Sequence, residues 1–350
     1  MLPMHPAVPD RPEAAPALPE SCPPATNAIA GQSADNGSLA AETTADGSVT
    51  FRSERFGETF HSRKGAWQEA LSKFVEPTHL QELAQRSSTV RLLDICYGLG
   101  YNTAAALAAI WAVNPRCRVE WVGLELDPIA SQAALPYLLA ALRSFGQEQE
   151  LATHVVDAIA QILTDLAQTG QAQGRATGAE FAGAFAGQLH WGDARQTLPI
   201  ALASGFRADA IFLDPFSPPR CPQLWTVEFL GLAAQGLQPT GRLATYSCAA
   251  AVRSALLAAG LQLGATAPFG RVWPGTVAAF KAVDLPPLSP QEQEHLQTKA
   301  AVPYRDPTLS DSADAILDRK HQEQAASPLE PTSRWKRRWM GDCRAKWPQS

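Results

Sequence analysis

The sequence has few cysteines and no arrangement of them that would hold a metal. The six cysteines among 350 residues form no CxxC pair and no Cys/His metal spacing, so we expect reduced thiols and no metal site. No apolar run is long enough to cross a membrane, and the first residues lack the basic and apolar regions of a secretory signal. These absences argue against membrane and secreted classes and predict a cytoplasmic protein.

The sequence also lacks a large excess of positive or negative charge. Only 18% of residues are charged and the formal net charge is -5, which argues against a generally basic nucleic-acid-binding protein but leaves room for a local basic patch. Residues 335–339, Trp-Lys-Arg-Arg-Trp, alternate cations with aromatics. They predict either phosphate contacts with base stacking or a solvated tail that packs its tryptophans on the body.

Composition and periodicity divide the chain into three parts. Residues 1–48 are acidic and rich in Pro and Ala, and we expect them to be disordered. Residues 49–283 predict one α/β domain, with a Gly/Ala/Gln-rich flexible insertion at 169–188. Residues 284–350 predict a polar, partly disordered extension. The domain opens with a small β-hairpin, and its alternating strands and helices predict a mostly parallel sheet with helices on both faces.

A glycine turn follows the first long apolar run. The run ends in Asp94, Gly98 and Gly100 follow, and Asn102 is predicted as the N-cap of an alanine-rich helix. The glycines allow the backbone to approach a ligand closely, and the helix N-terminus favours polar or anionic groups. The third glycine of a dinucleotide fingerprint is missing, so a plain tight turn is an equal alternative at this point.

Acidic residues end the next two apolar runs. Glu125 lies where a doubly wound sheet accepts ribose hydroxyls, and a GxG turn followed by this acid is more typical of S-adenosylmethionine (SAM) sites than of nicotinamide sites. Asp193 is predicted either to accept a hydrogen bond from an adenine amino group or to cap the following helix. Glu69, on a helix ahead of the glycine turn, is interpreted as a further cofactor contact, with solvated surface as the alternative.

The fourth apolar run ends in Asp214-Pro215-Phe216. A carboxylate there can accept an N–H of an amine and hold the lone pair toward a methyl donor, and an aromatic ring favours a cationic centre. The order acid, proline, aromatic is similar to the Asp/Asn-Pro-Pro-Tyr loop of amino-group methyltransferases. The alternative is a strand-end Asp that makes an Asx-turn.

Several blocks across residues 49–283 resemble the methyltransferase domain of the bifunctional MnmC family, whose stand-alone relatives are called MnmD. LDPFSP (213–218) with PQLWT (222–226) resembles the family signature LDxFxP…P-x-(L/M)-W-T, the most specific of these blocks. YGLGYN (97–102) resembles its FGxGxN turn, and LHWGD (189–193) its LHxGD block. LATYS (243–247) with Arg253 is similar to its LATY(T/S)…VR stretch.

The resemblance implies a Rossmann-like, SAM-dependent methyltransferase that N-methylates the 5-aminomethyl group on the wobble uridine of tRNA, often 2-thiolated. No second dinucleotide fingerprint follows residue 283, so we expect the FAD oxidase half to be absent and a separate enzyme to supply the aminomethyl nucleoside. The predicted catalytic residues are Asp214 and Phe216. The predicted cofactor contacts are Asp94, Tyr97, Gly98, Gly100, Asn102, Glu125, Asp193 and Glu69. The predicted substrate contacts are Pro215, Trp225, Tyr246, Arg253, Arg271, Lys336, Arg337 and Arg338.

One block departs from the family pattern. The family segment GFGRKRE(M/L) appears here as PFGRVWP (268–274), with Arg271 as its one cation. This leaves open how the tRNA backbone is held, and the basic tail is a candidate substitute. Two other functions stay open: SAM-dependent methylation of a small amine, and a non-catalytic module that binds tRNA or a partner. An aminopropyltransferase would share the fold, but the LDPFSP…PQLWT block disfavours it.

Overall fold

The computed structural model describes residues 39–175, 184–270 and 272–340. Its strands are β1 Ala40–Thr43, β2 Val49–Ser53, β3 Glu58–Thr59, β4 Thr89–Ile95, β5 Arg118–Glu125, β6 Gln171–Arg175, β7 Ala184–Trp191, β8 Ala208–Leu213, β9 Leu237–Thr245, β10 Gln262–Ala265 and β11 Thr276–Ala279. Its α-helices are α1 Ala66–Ala70, α2 Leu80–Arg86, α3 Tyr101–Val113, α4 Ile129–Glu148, α5 Thr153–Thr169, α6 Ala194–Ala203, α7 Val227–Gln235, α8 Ala250–Ala258, α9 Pro290–His295, α10 Ala313–Ala326 and α11 Thr332–Met340. No helix in these ranges is long and apolar enough to cross a lipid bilayer.

The main sheet has eight strands in the order β10-β11-β9-β8-β4-β5-β7-β6. The five central strands, from β9 to β7, run parallel, and antiparallel strands lie at both edges. This confirms the predicted Rossmann-like, mostly parallel sheet. The chain leaves β4 toward β5 on one side and returns to β8 on the other, so a topological switch point lies between β4 and β8. Ligands of such sheets bind outside the carboxyl ends of the strands at that point.

The central strands are apolar because helices cover both of their faces. On β4, Leu92 belongs to a buried cluster that includes α3 and α5, whereas the adjacent Leu93 belongs to a second cluster that includes α7 and α8. Successive strand residues point to opposite faces, so this division places a helical layer on each side. The near-continuous apolar runs of the sequence are the signature of strands buried in this way.

A three-stranded antiparallel sheet, β1-β2-β3, precedes the main sheet. The predicted hairpin is confirmed, but it has an additional strand: Ala40–Thr43 pairs with β2 inside the segment expected to be disordered. The turn between β1 and β2 is closed by Asp46, whose carboxylate accepts hydrogen bonds from the hydroxyls of Thr44 and Ser48. A four-residue strand is too short to show a sequence period. Residues 1–38, the rest of the predicted disordered tail, lie outside the described residues.

The expected flexible insertion at 169–188 contains all of β6 and the first part of β7. β6 and β7 form an antiparallel pair that extends the sheet beyond β5. Gly174 and Gly187 lie within these strands, with the side chains of Ile162 and Phe185 close beside them. Small residues that look like linker sequence are therefore packed against large neighbours here. Residues 176–183 lie outside the described part of the chain.

The extension after residue 284 contains helices where the structure describes it, in line with the expected partial helix. Ser289 and Glu292 form a capping box that starts α9. Farther along, Tyr304, Ile316 and Trp335 are buried. A polar segment thus adds helices to the body with few apolar anchors, which is why composition alone suggested partial disorder. Residues 341–350 lie outside the described residues.

Candidate active site

The glycine turn after β4 is shaped by its own neighbours. Gly98 and Gly100 have φ of 56° and 88°, conformations that other residues rarely adopt. A Cβ on Gly100 would lie 2.6 Å from the Tyr97 hydroxyl and 2.9 Å from a methyl of Leu138. Gly100 is therefore required by packing within the chain, and the turn places the start of α3 a few residues after the carboxyl end of β4.

Glu125 ties this turn to the end of β5. Its Oε2 accepts a hydrogen bond from Gly98 N at 2.8 Å, and its Oε1 accepts one from Leu126 N at 2.6 Å. Burial raises the pKa of Glu125 to about 7, although both backbone hydrogen bonds act to lower it. The predicted ribose acceptor thus lies beside the glycine turn, as a SAM site requires.

Asp94 is a second carboxyl under the turn. It is completely buried, its Oδ2 accepts a hydrogen bond from the Thr103 hydroxyl at 2.6 Å, and Thr103 accepts one from the Trp121 indole. Its Oδ1 has no hydrogen-bond partner within the described residues. Burial raises the pKa of Asp94 to about 7, and burial likewise raises the pKa of the Tyr97 phenol. A buried unpaired acceptor is an unusual cost that a bound polar ligand would remove.

Asn102 does not cap α3, because Gly100 occupies the N-cap position and the helix begins at Tyr101. The Asn102 side chain is 2% exposed, and its Nδ2 donates a hydrogen bond to Asp214 Oδ2 at 2.8 Å. The Asp214 backbone N–H donates to Ile95 at the end of β4. The structure therefore joins the first residues after β4 to the acid after β8, on both sides of the switch point.

The loop after β8 is held by two aromatic side chains that were predicted to contact substrate. Trp225 is completely buried and its indole donates to the Phe216 carbonyl at 2.9 Å, so this side chain supports the loop, and its substrate contact stays a prediction. The Tyr246 hydroxyl donates to the carbonyl of Pro215 at 2.8 Å, and Pro215 itself is buried. Thr226, next to Trp225, caps α7. Much of the LDPFSP…PQLWT block thus fixes the shape of the loop.

Asp193 follows β7 at the same edge, and protein groups already engage its carboxylate. Its Oδ1 caps α6 by accepting from Arg195 N at 2.9 Å, and its Oδ2 lies 2.6 Å from the Arg195 guanidinium. Arg195 also lies 2.9 Å from the completely buried Asp306. The capping alternative is therefore observed. An adenine contact stays a prediction, and it would have to share the carboxylate with Arg195.

Glu69 lies on α1, with its Oε2 accepting a hydrogen bond from Ser62 N at 2.7 Å. The neighbouring His61 is buried, and burial lowers the pKa of its imidazole. Its Nε2 and the Ser62 hydroxyl have no hydrogen-bond partner within the described residues. This polar cluster lies next to Tyr101 at the start of α3, since the rings of His61 and Tyr101 meet edge to face. A cofactor contact by Glu69 remains a prediction.

Arg253, a predicted substrate contact, is buried and bonded within the chain, and its substrate contact stays a prediction. Its side chain is 2% exposed, donates to the Thr276 hydroxyl at 2.9 Å and to the Gly275 carbonyl at 3.2 Å, and lies 2.8 Å from a Glu292 oxygen. These contacts connect α8 with β11 and with α9. The sequence alone could not distinguish a buried role from a substrate contact, because an arginine on an alanine-rich helix is compatible with a buried face and with an exposed one. Arg271 lies outside the described residues.

The two tryptophans of the basic segment both contact α9 but differ in burial. Trp335 is 2% exposed, stacks on His295 with ring centroids 4.1 Å apart, and donates to the Gln291 carbonyl. The Trp339 indole donates to Glu294. The packed-tail interpretation of residues 335–339 is thus observed for Trp335, whereas Trp339 is 40% exposed.

The three cations of this segment differ. Arg338 lies 3.0 Å from Glu294 and 2.6 Å from Glu330, so its charge is already compensated. Lys336 and Arg337 are exposed, and their predicted phosphate contacts stay a prediction. Within the described ranges, no group of three His, Cys, Asp or Glu side chains could hold a metal ion.

Comparison with known proteins agrees with this geometry. A family model described as S-adenosyl-L-methionine-dependent methyltransferase matches residues 154–281. The crystal structure of MnmC2 from Aquifex aeolicus superposes with a TM-score of 0.68 at 31% identity, covering 84% of this chain and 87% of that one. An uncharacterised protein from Methanocaldococcus jannaschii is 30% identical over 80% of this chain and 71% of its own length.

The bifunctional tRNA 5-methylaminomethyl-2-thiouridine biosynthesis protein MnmC of Cupriavidus necator is 30% identical over 65% of this chain but 33% of its own length. The chain thus spans about a third of the length of this relative. The glycine turn, Glu125 and the loop after β8 lie together in this chain, and SAM is the cofactor that these residues fit. The chain belongs to the family of SAM-dependent methyltransferases that includes the methyltransferase part of MnmC.

Proposed function

We propose that this protein transfers a methyl group from SAM to the 5-aminomethyl group of the wobble uridine in tRNA, giving 5-methylaminomethyluridine or its 2-thio form. The observation that supports it most is the hydrogen bond between Asn102 and Asp214, which fixes a carboxylate at the switch point beside the glycine turn. The resemblance of the surrounding loop to that of MnmC adds the substrate class. The proposal places the enzyme in the cytoplasm, with another enzyme supplying the aminomethyl nucleoside.

The residues of the site suit an amine nucleophile. SAM supplies a methyl group on a positively charged sulfur when it is bound. Asp214 accepts an N–H of the substrate amine, so that the nitrogen lone pair is free to face the methyl. As the nitrogen becomes an ammonium, the Asp214 carboxylate stabilises the developing charge more than it stabilises the neutral amine, which lowers the barrier. Asn102 keeps the carboxylate oriented, and Phe216 offers a ring face to the cation.

The test uses purified full-length protein, labelled SAM and tRNA in three forms. One tRNA has 5-aminomethyl-2-thiouridine at the wobble position, one has 5-carboxymethylaminomethyl-2-thiouridine, and one has unmodified uridine. We expect the methylated nucleoside, identified by mass spectrometry, from the first tRNA alone. Absence of label in that tRNA, with SAM binding intact by calorimetry, would contradict the proposal.

A second function has its own support in the structure. Arg253 and Arg338 are engaged in ion pairs within the chain, so fewer cations are available to an RNA backbone than the sequence suggested. This favours a small amine as the alternative substrate. The free aminomethyl nucleoside, tested beside the tRNA, separates the two: a comparable kcat/KM for both would favour the small-amine function.

A further inference from the structure

The turn between β2 and β3 and the residue directly after β3 place aromatic rings against the loop after β8. The Phe56 ring stacks on Phe216 with centroids 4.4 Å apart and an interplanar angle of 20°. Phe60 meets Phe216 edge-on, with centroids 5.0 Å apart and an angle of 64°. All three side chains are half-buried. Nothing in the sequence pattern assigned Phe56 or Phe60 to the site, because they lie in a short, separate sheet.

A hydrogen-bonded contact holds this turn to the loop. The Glu58 carboxylate accepts hydrogen bonds from both the backbone N–H and the hydroxyl of Ser217. Phe60 also reaches the glycine turn, since a Cβ on Gly98 would lie 3.3 Å from its ring. The small sheet therefore touches both loops of the switch point. Its two phenyl rings lie at the junction where Asp214 would receive the amine.

We propose that Phe56 and Phe216 form the stacking site for the pyrimidine ring that carries the reacting amine. This inference rests on the proposed function. The base inserts between the two rings, so that one face of the base stacks on Phe216 and the other face stacks on Phe56. One ring–ring contact is exchanged for two ring–base contacts, and the exchange is favourable when these outweigh the Glu58–Ser217 hydrogen bonds that opening of the turn would weaken. Enzymes that modify a base read an extruded nucleotide by stacking of this kind.

Charge near the turn fits an RNA strand at this place. Arg55 is exposed, and its guanidinium lies 5.5 Å from the Phe56 ring centroid. Because Arg55 is adjacent to Phe56 in the chain, it moves with the ring when the turn opens. Its positive charge would then lie beside the phosphates that flank the extruded base.

Photo-crosslinking tests the stacking without requiring catalysis. The probe is an anticodon stem-loop with 5-iodouridine at the wobble position, irradiated with the full-length protein and analysed by peptide mass spectrometry. We expect the crosslink at Phe56 or Phe216. A crosslink at other residues, or none at these two, would overturn the inference. If methyl transfer to tRNA fails while this crosslink forms, the proposed function is wrong and the stacking site stands.

Kinetics give an independent measurement. Phe56→Leu should raise KM for aminomethyl tRNA by about tenfold, the effect expected when one base–ring stack is removed, with kcat and SAM affinity unchanged. Phe56→Trp should restore KM. The matched control is Tyr137→Leu, which removes the edge contact with Phe51 on the same small sheet and should leave KM unchanged. Equal KM in Phe56→Leu and wild type, or an equal rise in both leucine variants, would overturn the inference.

Discussion

Asp193 and Asp214 give the same signal in the sequence and have different surroundings in the structure. Each follows an apolar strand at the carboxyl edge of the parallel sheet. Asp214 receives a neutral amide hydrogen bond from Asn102, whereas Asp193 is paired with the Arg195 guanidinium, which also pairs with Asp306. A strand followed by aspartate therefore predicts a position at the edge of the sheet, but the side chains that engage each carboxylate are known only from the folded chain.

The largest effect that this comparison predicts is on stability. Arg195→Met should lower the free energy of unfolding by about 3–5 kcal/mol, because it leaves the buried Asp306 carboxylate without its cation. Urea denaturation measures it. Arg305→Met is the matched control: Arg305 pairs with Glu228 but its side chain is 43% exposed, so the decrease should stay below about 1 kcal/mol. Equal decreases in the two variants would remove the distinction between the two pairs.

Replacing Asp214 should reduce the rate, and Asp214→Ala should also lower stability by about 1–3 kcal/mol, because the buried Asn102 amide loses its acceptor. We expect turnover to fall in the order Asp, Asn, Ala, with Asp214→Ala lower by about 10²–10³-fold, as when one preorganised electrostatic partner is removed. Turnover should rise with pH in wild type and in Asp214→Asn alike, because the substrate amine must be deprotonated. Single-turnover assays with saturating SAM measure both effects.

Asp209 supplies the control for Asp214. It lies on the same strand, β8, near the opposite end, where its carboxylate accepts from Arg91 N at 2.8 Å. Asp209→Ala should retain turnover. Full activity in a folded Asp214→Ala enzyme would show that another group positions the amine.

The acid at the end of β5 should make SAM affinity depend on pH. Glu125 and Asp94 both have pKa values raised to about 7, so each is protonated below that pH and becomes a stronger acceptor as pH rises. Affinity should therefore increase by up to about tenfold per pH unit below 7 for each group that must ionise, and level off above it. Calorimetry from pH 5.5 to 8.5 measures it.

Glu125→Gln should weaken SAM binding by about 1–3 kcal/mol at pH 8, because ribose hydroxyls lose a charged acceptor. The variant should also show a smaller increase of SAM affinity with pH below pH 7, because only the ionisation of Asp94 then contributes to it. If the wild-type affinity for SAM stays constant across this pH range, or if Glu125→Gln binds SAM as tightly as wild type, Glu125 is not the ribose acceptor.

The smallest effect concerns the exposed cations of α11. Lys336→Ala with Arg337→Ala should reduce the slope of log tRNA affinity against log salt by up to about 0.7–0.9 for each phosphate that the variant no longer neutralises, with SAM affinity unchanged. Arg338→Ala is the control, since Glu294 and Glu330 already neutralise that side chain. An unchanged slope in the double variant would exclude this helix from the RNA surface.

The sequence was sufficient to predict the strands of the sheet, because strands follow from the periodicity of apolar residues. The apolar runs before Asp94, Glu125 and Asp214 became neighbouring parallel strands, and parallel strands bring their carboxyl ends to one edge. Side-chain direction was not predictable in this way. Trp225 and Arg253 lie in blocks that resemble a methyltransferase family, yet both are buried, because a motif can be required for the shape of a loop as much as for its contacts.

The C-terminal extension was the least predictable part. Its contacts with the body depend on single polar partners, such as Glu292 for Arg253 and Asp306 for Arg195, which leave no periodic pattern. Phe56 was missed for a similar reason, since its neighbour Phe216 is far away in the sequence and only the folded chain brings the rings together.

The pairing of Arg195 with Asp306 has a consequence for synthesis of the chain on the ribosome. The two residues are 111 positions apart, so the central strands emerge well before the carboxylate that neutralises the arginine. At about 5–20 residues per second, Asp306 is added roughly 6–22 s after Arg195. During that interval the nascent sheet has an arginine with Asp193 but not Asp306 as its carboxylate partner. The Arg195–Asp306 ion pair can therefore form only after most of the central sheet has been synthesised.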